Sequence, residues 1–127
     1  MSTPSETVRS FIAAIEAKDL AAAGALAAED ISYENVPMQP IAGRDTMVAV
    51  LSAFMGPAVA VEWKVLREVA VGNVVANERI DRFQFPGGWV ELPVAGFFEV
   101  DDRGLITLWR DYFDLGTYTS QMAAVSG

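Results

Sequence analysis

Apolar residues in the first part of the chain recur at the spacing of an amphipathic helix. They fall on one stripe, at Val8, Phe11, Ile12 and Ile15. Just before this stripe, Thr3 can cap a helix whose first position is Pro4, and Glu6 completes a capping box. The pattern therefore predicts a first helix that begins at Pro4 and buries its apolar stripe.

Two further helices and a short strand are predicted before the middle of the chain. Asp19 is placed to cap an alanine-rich helix over residues 20–28, in which Gly24 would let another element approach closely. Residues 31–35 alternate between apolar and polar as a short strand does. A third helix is predicted over residues 44–55, and the Gly-Pro pair that follows marks its end.

The second half of the chain alternates with the period of two that is typical of strands. Turns rich in glycine, with proline, asparagine or aspartate, divide it into four segments. The predicted strands cover residues 59–71, 74–85, 89–100 and 105–114. After them the chain becomes small and polar, and we expect it to fray.

The turns predict the register of one hairpin and leave the other open. A four-residue turn at 101–104 would set Val94 opposite Asp111, which matches the apolar faces of the two strands. A two-residue turn at 72–73 gives the wrong parity for the preceding hairpin, which either a bulge or a loop of odd length would correct. Three helices followed by a strand meander predict an α+β domain.

An arginine and an aspartate lie on a strand face that two aromatic residues mark as buried. Arg79, Asp81, Phe83 and Phe85 occupy alternate positions of the strand over 74–85 and therefore share a face. A charge on such a face is costly unless it is paired and hydrogen-bonded. Arg79 and Asp81 can pair with each other, and taken alone such a pair is most often structural.

A second carboxylate and two polar residues extend this pair to a candidate acid/base site. Asp111 lies on the buried side of the last strand in the predicted hairpin. Tyr33 and Asn35 share one face of the short strand, where they could instead brace the core. Each signal is weak alone, and their combination with Arg79 and Asp81 makes a site plausible.

Composition and charge narrow the class of protein. The chain has 127 residues, of which 52% are hydrophobic and 20% are charged, as in a globular domain. Its net charge of −8 disfavours nucleic acids and anionic membranes as partners. No apolar run approaches the roughly 20 residues of a membrane span, and the first residues lack the features of a signal peptide. We therefore expect one cytoplasmic domain over residues 1–127.

The sequence contains no histidine and no cysteine. This composition excludes Ser-His-Asp and Cys-His nucleophile systems, zinc sites with nitrogen or sulfur ligands, and disulfide bonds. Proton transfer near neutral pH must then use carboxylates, tyrosine, lysine or water. The carboxylates become the foremost candidates for chemistry, and we expect neither a metal nor a cofactor.

Three motifs resemble, in this order, those of the limonene-1,2-epoxide hydrolase family. They are Tyr33-Glu34-Asn35, Arg79-Ile80-Asp81 and Trp109-Arg110-Asp111-Tyr112-Phe113-Asp114. The resemblance covers nearly the whole chain, and it extends to the superfamily that also contains nuclear transport factor 2 (NTF2), ketosteroid isomerase and polyketide cyclases. It implies an NTF2-like, cone-shaped fold, in which a curved antiparallel sheet carries the three N-terminal helices on its concave side.

The resemblance also implies a role for each site residue. Asp111 would be the general base that deprotonates a water, which Tyr33 and Asn35 also hold by hydrogen bonds. Asp81 would be the general acid that protonates the epoxide oxygen, and Arg79 would bridge the two carboxylates. The expected reaction adds water to a small hydrophobic or cyclic epoxide in one step, giving a vicinal diol without a covalent intermediate.

The family resemblance implies further a homodimer that uses the outer face of the sheet. The sequence begins close to its first helix, whereas the limonene enzyme is associated with a longer N-terminal segment. This departure leaves the mouth of the pocket, and therefore the choice of epoxide, open. Two other functions stay open: an isomerase or cyclase of the same fold, and a non-catalytic binding or dimerisation module with a structural charge cluster.

Overall fold

Four helices and one six-stranded curved sheet make up the part of the chain that the computed structural model describes, residues 2–126. In chain order the elements are α1 (Pro4–Glu16), α2 (Leu20–Ala25), β1 (Ala27–Val36), β2 (Ile41–Ala42), α3 (Arg44–Met55), β3 (Ala60–Val71), β4 (Val74–Phe85), β5 (Gly88–Val100), β6 (Ile106–Tyr112) and α4 (Leu115–Ser126). The predicted α+β class is confirmed, with a fourth helix that the sequence pattern did not predict.

The order of strands in the sheet brings the first strand next to the last. The sheet runs β2-β1-β6-β5-β4-β3. β1 pairs with β6 in parallel, whereas every other neighbouring pair is antiparallel. The first two helices thus lead into β1, which lies in the sheet between β2 and β6, the second strand of the C-terminal hairpin.

The capping box predicted for the first helix is present. The Thr3 hydroxyl accepts a hydrogen bond from the Glu6 backbone N–H at 3.2 Å, and the Glu6 carboxylate accepts from the Thr3 N–H at 2.8 Å. The predicted apolar stripe of α1 is buried, and Phe11 packs edge-to-face on Trp109 with ring centroids 5.1 Å apart. α1 therefore covers the inner face of the sheet.

The second helix is shorter than predicted. It ends at Ala25 instead of continuing through residue 28. The Leu26 carbonyl accepts a hydrogen bond from the Ile106 N–H at 2.8 Å, and the following residues pair with β6. Alanine favours a helix, so the pairing with β6 overrides the local propensity and ends the helix early. Gly24 does allow close approach, because a Cβ there would lie 3.0 Å from Val48 Cγ2 of α3.

The C-terminal segment forms a helix where the sequence led us to expect fraying. Asp114 caps α4 by accepting hydrogen bonds from the N–H and the hydroxyl of Thr117, at 2.9 and 2.7 Å. The Gln121 side chain bonds both the N–H and the carbonyl of Glu91, at 2.7 and 2.8 Å. The sequence pattern did not indicate this helix, because a helix with no fully buried residue needs no clear apolar stripe.

A bulge sets the register of the hairpin that the sequence left open. The turn at 72–73 pairs Val71 with Val74, and the pairing shifts by one residue at Leu66. Beyond the bulge, Val65 lies opposite Arg79 and Trp63 lies opposite Asp81. The shift restores the parity that places both apolar faces on the same side of the sheet.

The predicted register of the last hairpin is wrong by two residues. Gly96, and not Val94, lies opposite Asp111. One residue of this displacement arises at the turn, where Val100 pairs with Ile106 and not with Leu105, and the other at the irregular pairing between Glu99 and Val100. A displacement of two residues keeps the strand face unchanged, so Asp111 is buried as predicted. The strand itself is shorter than the predicted range and ends at Tyr112.

Within residues 2–126 no helix combines the length and the apolar character that crossing a bilayer requires.

Candidate active site

The Arg79 guanidinium lies between two buried carboxylates. Its Nε and Nη2 donate to the two oxygens of Asp81 at 2.9 and 3.0 Å, and Nη2 also donates to Asp111 Oδ2 at 2.8 Å. Arg79 is fully buried, and both aspartates are 4% exposed. One cation therefore fixes two acidic groups of different strands, close to each other and shielded from solvent.

A glycine of the intervening strand makes the contact between β4 and β6 possible. β5 lies between these strands, and its Gly96 pairs with Asn77 on one side and with Asp111 on the other. A Cβ on Gly96 would collide with the Arg79 guanidinium and would lie 2.6 Å from Asp111 Oδ1. The absence of a side chain at this position lets the arginine reach across the sheet.

Aromatic rings enclose the guanidinium. The Trp63 ring lies 4.7 Å from the Arg79 Cζ, and the Phe98 ring lies 6.0 Å from it. Such cation–π contacts favour the charged form of a desolvated arginine. Trp63 Nε1 is buried and has no hydrogen-bond partner within the described residues, so this indole contributes through its ring face.

Asp111 receives a second hydrogen bond that the sequence did not reveal. Trp109 Nε1 donates to Asp111 Oδ1 at 2.9 Å. The Trp109 ring is stacked on Tyr33, with centroids 4.4 Å apart. Sequence spacing places both Trp109 and Asp111 on one face of β6, which is the signal that could have indicated this contact.

The parallel pairing of β1 with β6 places the two polar residues of β1 beside Asp111. Asn35 lies opposite Asp111 and Tyr33 lies opposite Trp109. Tyr33 is buried and Asn35 is partly buried. The structure thus brings all five predicted site residues together, around one end of the β1–β6 pair.

Asn77 is a member of the polar cluster that sequence analysis missed. It is buried, and its Oδ1 accepts a hydrogen bond from Arg79 Nη1 at 2.7 Å. The alternation of β4 indicates this placement, because Asn77 is two residues before Arg79 and shares its face. The three guanidinium nitrogens therefore all donate to side chains: Asn77, Asp81 and Asp111.

Burial raises the pKa of both carboxyl groups. The pKa of Asp81 is raised to about 6 by desolvation, against the lowering effect of Arg79. Desolvation also raises the pKa of Asp111, against Arg79 and the Trp109 hydrogen bond. Burial alone would lower the pKa of Arg79, but the two carboxylates raise it above its usual value. A permanently charged arginine thus lies between two carboxyl groups that protonate more readily than exposed aspartates do.

Desolvation likewise raises the pKa of the Tyr33 phenol. Its hydroxyl is consequently a neutral hydrogen-bond donor at physiological pH. The group can hold a water or a substrate oxygen and is not itself a base. The carboxylates are therefore the groups of the cluster that could accept a proton.

A cavity of about 180 Å³ opens beside the two aspartates. Its wall is mostly apolar and comes from α3, the inner face of the sheet and the C-terminal segment. Polar atoms are contributed chiefly by Tyr33, Asn35, Asp81 and Asp111, while the apolar lining includes Leu51, Phe54, Met55, Phe83, Leu92 and Val94. An apolar cavity with few convergent polar groups is the usual form of a small-molecule site.

No group of three or more acidic, histidine or cysteine side chains in residues 2–126 is arranged to hold a metal ion.

Comparisons with known proteins agree with this geometry. The family model for the limonene-1,2-epoxide hydrolase catalytic domain matches residues 2–124. The chain is 39% identical over 108 residues to the epoxide hydrolase EphG of Mycobacterium tuberculosis, a match that covers 85% of this chain and 71% of that protein.

Solved structures show the same fold. A limonene-epoxide-hydrolase-like epoxide hydrolase of M. tuberculosis matches with a TM-score of 0.81 at 34% identity, covering 94% of this chain and 90% of that chain. A SnoaL-like protein of Shewanella denitrificans has a TM-score of 0.86 at 14% identity, covering 95% and 97% respectively, and an NTF2-like protein of Cytophaga hutchinsonii has 0.76 at 21%, covering 94% and 96%. The last two show the fold alone. The match to the family model over nearly the whole length shows that this chain belongs to the limonene-1,2-epoxide hydrolase family.

Proposed function

We propose that this protein converts a small hydrophobic or cyclic epoxide and water into a vicinal diol, in one step and without a covalent intermediate. Membership of the family makes it a hydrolase that opens epoxides. The product, the division of labour between the side chains and the substrate class are the parts that we propose.

One observation carries the proposal. Asp81 and Asp111 are held by a single guanidinium and face the same apolar cavity. Two carboxylates that share one net proton supply an acid and a base at the same time. Opening an epoxide by water requires this pair of functions, since the attacking water must lose a proton and the ring oxygen must gain one.

Asp111 is the general base of the proposed reaction. Asn35 lies directly beside it in the paired strand, and Tyr33 lies one pair further along the same face. These neutral groups can hold a water by hydrogen bonds while Asp111 accepts its proton. Desolvation raises the pKa of Asp111, and the hydrogen bonds from Arg79 and Trp109 oppose this and stabilise the ionised form that a base requires.

Asp81 is the general acid. Its raised pKa, about 6, keeps a fraction of it protonated near neutral pH. In the reaction the water oxygen bonds to an epoxide carbon, the carbon–oxygen bond of the ring breaks, and Asp81 protonates the leaving oxygen. The pair ends with one proton, now on Asp111, and proton exchange restores the starting state. All of these steps use side chains and water.

The cavity indicates a small substrate. Its volume of about 180 Å³ is below the roughly 300–1,000 Å³ of pockets for drug-sized ligands. Most of the lining is apolar, and its polar atoms are concentrated around Asp81 and Asp111. A compact alkyl or cycloalkyl epoxide fits these properties, with its ring oxygen directed towards Asp81.

We also propose a homodimer that forms through the outer face of the sheet. Apolar side chains on this face are exposed, among them Val69 at 67%, Phe97 at 40% and Tyr112 at 43%. Phe97 and Tyr112 pack edge-to-face with centroids 5.9 Å apart, which makes a preformed aromatic patch. A second copy of this chain would cover an apolar surface that is otherwise unfavourable in water.

The test is to incubate the protein with a panel of epoxides and to measure the diols by chromatography. The panel should range from propylene-sized to limonene-sized compounds, so that the size limit of the cavity is read from the same data. We expect diol from the compact alicyclic and alkyl epoxides. Absence of diol from every member would contradict the proposed function.

A further inference from the structure

Asn77 is the one side chain among the described residues that hydrogen-bonds Nη1 of Arg79. It is 5% exposed and lies two residues before Arg79 on the inner face of β4. Its Oδ1 accepts from Nη1 at 2.7 Å, which is shorter than either bond from Arg79 to Asp81. A hydrogen bond to a charged group in a desolvated site is among the stronger protein hydrogen bonds.

The bond from Asn77 fixes the rotation of the guanidinium. The other two nitrogens bind carboxylates, and Nη2 is shared between Asp81 and Asp111. Without an acceptor at Nη1, the planar group can turn towards one carboxylate at the expense of the other. Gly96 supplies no side chain beside Nη1, so Asn77 alone holds this end of the fork among the described residues.

A third strand fixes the amide of Asn77 itself. Asn77 Nδ2 donates to Glu68 Oε1 of β3 at 3.3 Å, and Glu68 lies opposite Asn77 in the strand pairing. The other Glu68 oxygen is 3.9 Å from Arg9 Nη2 of α1. An amide that donates to a carboxylate on one side must present its carbonyl oxygen on the other, towards Arg79.

We propose that Asn77 is a positioning residue that holds the Arg79 guanidinium in the orientation that divides one proton unequally between Asp81 and Asp111. The inference rests on the proposed function for its catalytic meaning. A neutral acceptor suits this place, because a third carboxylate would compete with the two aspartates for the same cation. Asn77 acts through Arg79 and does not contact the substrate.

Several charged groups surround the pair and enter any measurement of its titration. Arg79 and Asp81 belong to β4, and Asp111 faces them from β6. Glu68 of β3 lies behind Asn77, and Arg9 and Glu16 approach from α1. Of these charged groups only Arg79, Asp81 and Asp111 are buried, so a change at Asn77 is expected to act mainly on these three.

Two variants test the proposal. Asn77→Ala removes the acceptor, and we expect kcat to fall by about 10- to 100-fold with KM changed less than about threefold, as for loss of one hydrogen bond to a charged group. Asn77→Asp adds a negative charge of the same shape, and we expect the pH profile of kcat to move to higher pH. Thr7→Val, at a buried polar position of α1 outside the site, controls for the general effect of such a change on stability.

Carboxyl ¹³C NMR titration separates this inference from the proposed function. Without substrate, the midpoint of Asp81 should rise in Asn77→Asp and shift in Asn77→Ala, but stay unchanged in Thr7→Val. If the wild type opens no epoxide, the proposed function fails while the titration still decides the role of Asn77. Wild-type midpoints and pH profile in the folded Asn77 variants would overturn the inference.

A milder variant covers the case in which both Asn77 variants fail to fold. Glu68→Ala is at a partly exposed position and frees the amide of Asn77 to turn. We expect a smaller change in the Asp81 midpoint, in either direction, together with a kcat loss of about two- to tenfold. An unchanged midpoint and an unchanged kcat in Glu68→Ala would overturn the inference.

Discussion

Gly96 lies directly opposite Asp111 in the pairing of β5 with β6, and a Cβ on Gly96 would stand 2.6 Å from Asp111 Oδ1. The same Cβ would collide with Nη1 of Arg79. The charge cluster therefore depends on a residue that contributes no atom to its hydrogen bonds.

Replacing Gly96 by alanine should damage both the site and the fold. The added methyl group must displace either the guanidinium or the Asp111 carboxylate, and overpacking of this kind costs about 1–3 kcal/mol of unfolding free energy. We expect Gly96→Ala to lower kcat by at least about 10-fold, as a displaced acid/base pair loses part of its contribution. Denaturant unfolding and steady-state kinetics measure the two effects.

A matched control for this variant is Gly116→Ala in α4. A Cβ on Gly116 would meet Asp114 Oδ2 at 3.5 Å, which is ordinary van der Waals contact. Its activity should equal that of the wild type. A wild-type kcat in Gly96→Ala would contradict the prediction, because it would show that activity does not depend on the positions of Arg79 and Asp111.

Removing either aspartate's ionisable group should abolish most of the activity. Asp81→Asn cannot protonate the epoxide oxygen, and Asp111→Asn cannot accept the proton of the water. Each change should lower kcat by about 10²–10⁴-fold, the usual contribution of one general acid or base. Asp102→Asn, in the exposed turn between β5 and β6, is the control and should retain full activity. Full turnover in both site variants would refute the assigned roles.

The rate should depend on pH through the proton that the pair shares. Because Asp81 must be protonated to act as an acid, and its pKa is raised to about 6, kcat/KM should fall as the pH rises above that value. At low pH the pair takes up a second proton and loses its base, so the profile is bell-shaped. The fall of kcat/KM at alkaline pH reports loss of the Asp81 proton. Asp81→Asn has no such proton, so the residual activity of this variant should not show that fall. A rate that stays constant as the pH rises from below 6 to well above it would contradict the assignment.

The outer face of the sheet should determine the oligomeric state. Phe97→Asp places a charge in the exposed aromatic patch with Tyr112 and should convert a dimer to a monomer, since a buried unpaired charge at an interface is strongly unfavourable. Light scattering coupled to size exclusion measures the mass of both proteins. Leu115→Ala, at an exposed apolar position of α4 outside the sheet, serves as the comparison. A monomeric wild type would rule out the proposed dimer.

The alternation along each strand predicted correctly which side chains share a face. Arg79 and Asp81 share a face because strands alternate, and Asp111 is buried even though its predicted partner was wrong by two residues. The parallel pairing that sets Asn35 beside Asp111 joins distant segments, and the periodicity of either segment contains no information about it. The strand pattern made the combination of these residues a candidate site, and the family resemblance gave each of them a role.

Features that depend on one side-chain contact were missed. Alternation places Trp109 on the same face of β6 as Asp111. It likewise places Asn77 on the face of Arg79 in β4, but a shared face does not show that two side chains form a hydrogen bond. α4 was overlooked for a different reason, since its stability comes from the Asp114 cap and backbone contacts and not from an apolar stripe. Partial burial leaves little periodic signal in the sequence.

Direct attack by water, activated by Asp111 and assisted by Asp81, can be tested in a single turnover in ¹⁸O-labelled water with enzyme in excess over epoxide. Mass spectrometry of the diol reports where its new oxygen came from. The proposed mechanism predicts one ¹⁸O atom in the diol of the first turnover, because solvent water attacks the epoxide itself. An unlabelled first-turnover diol would show that an enzyme carboxylate attacked instead, and a product with no added oxygen would show an isomerase; either result would contradict the mechanism.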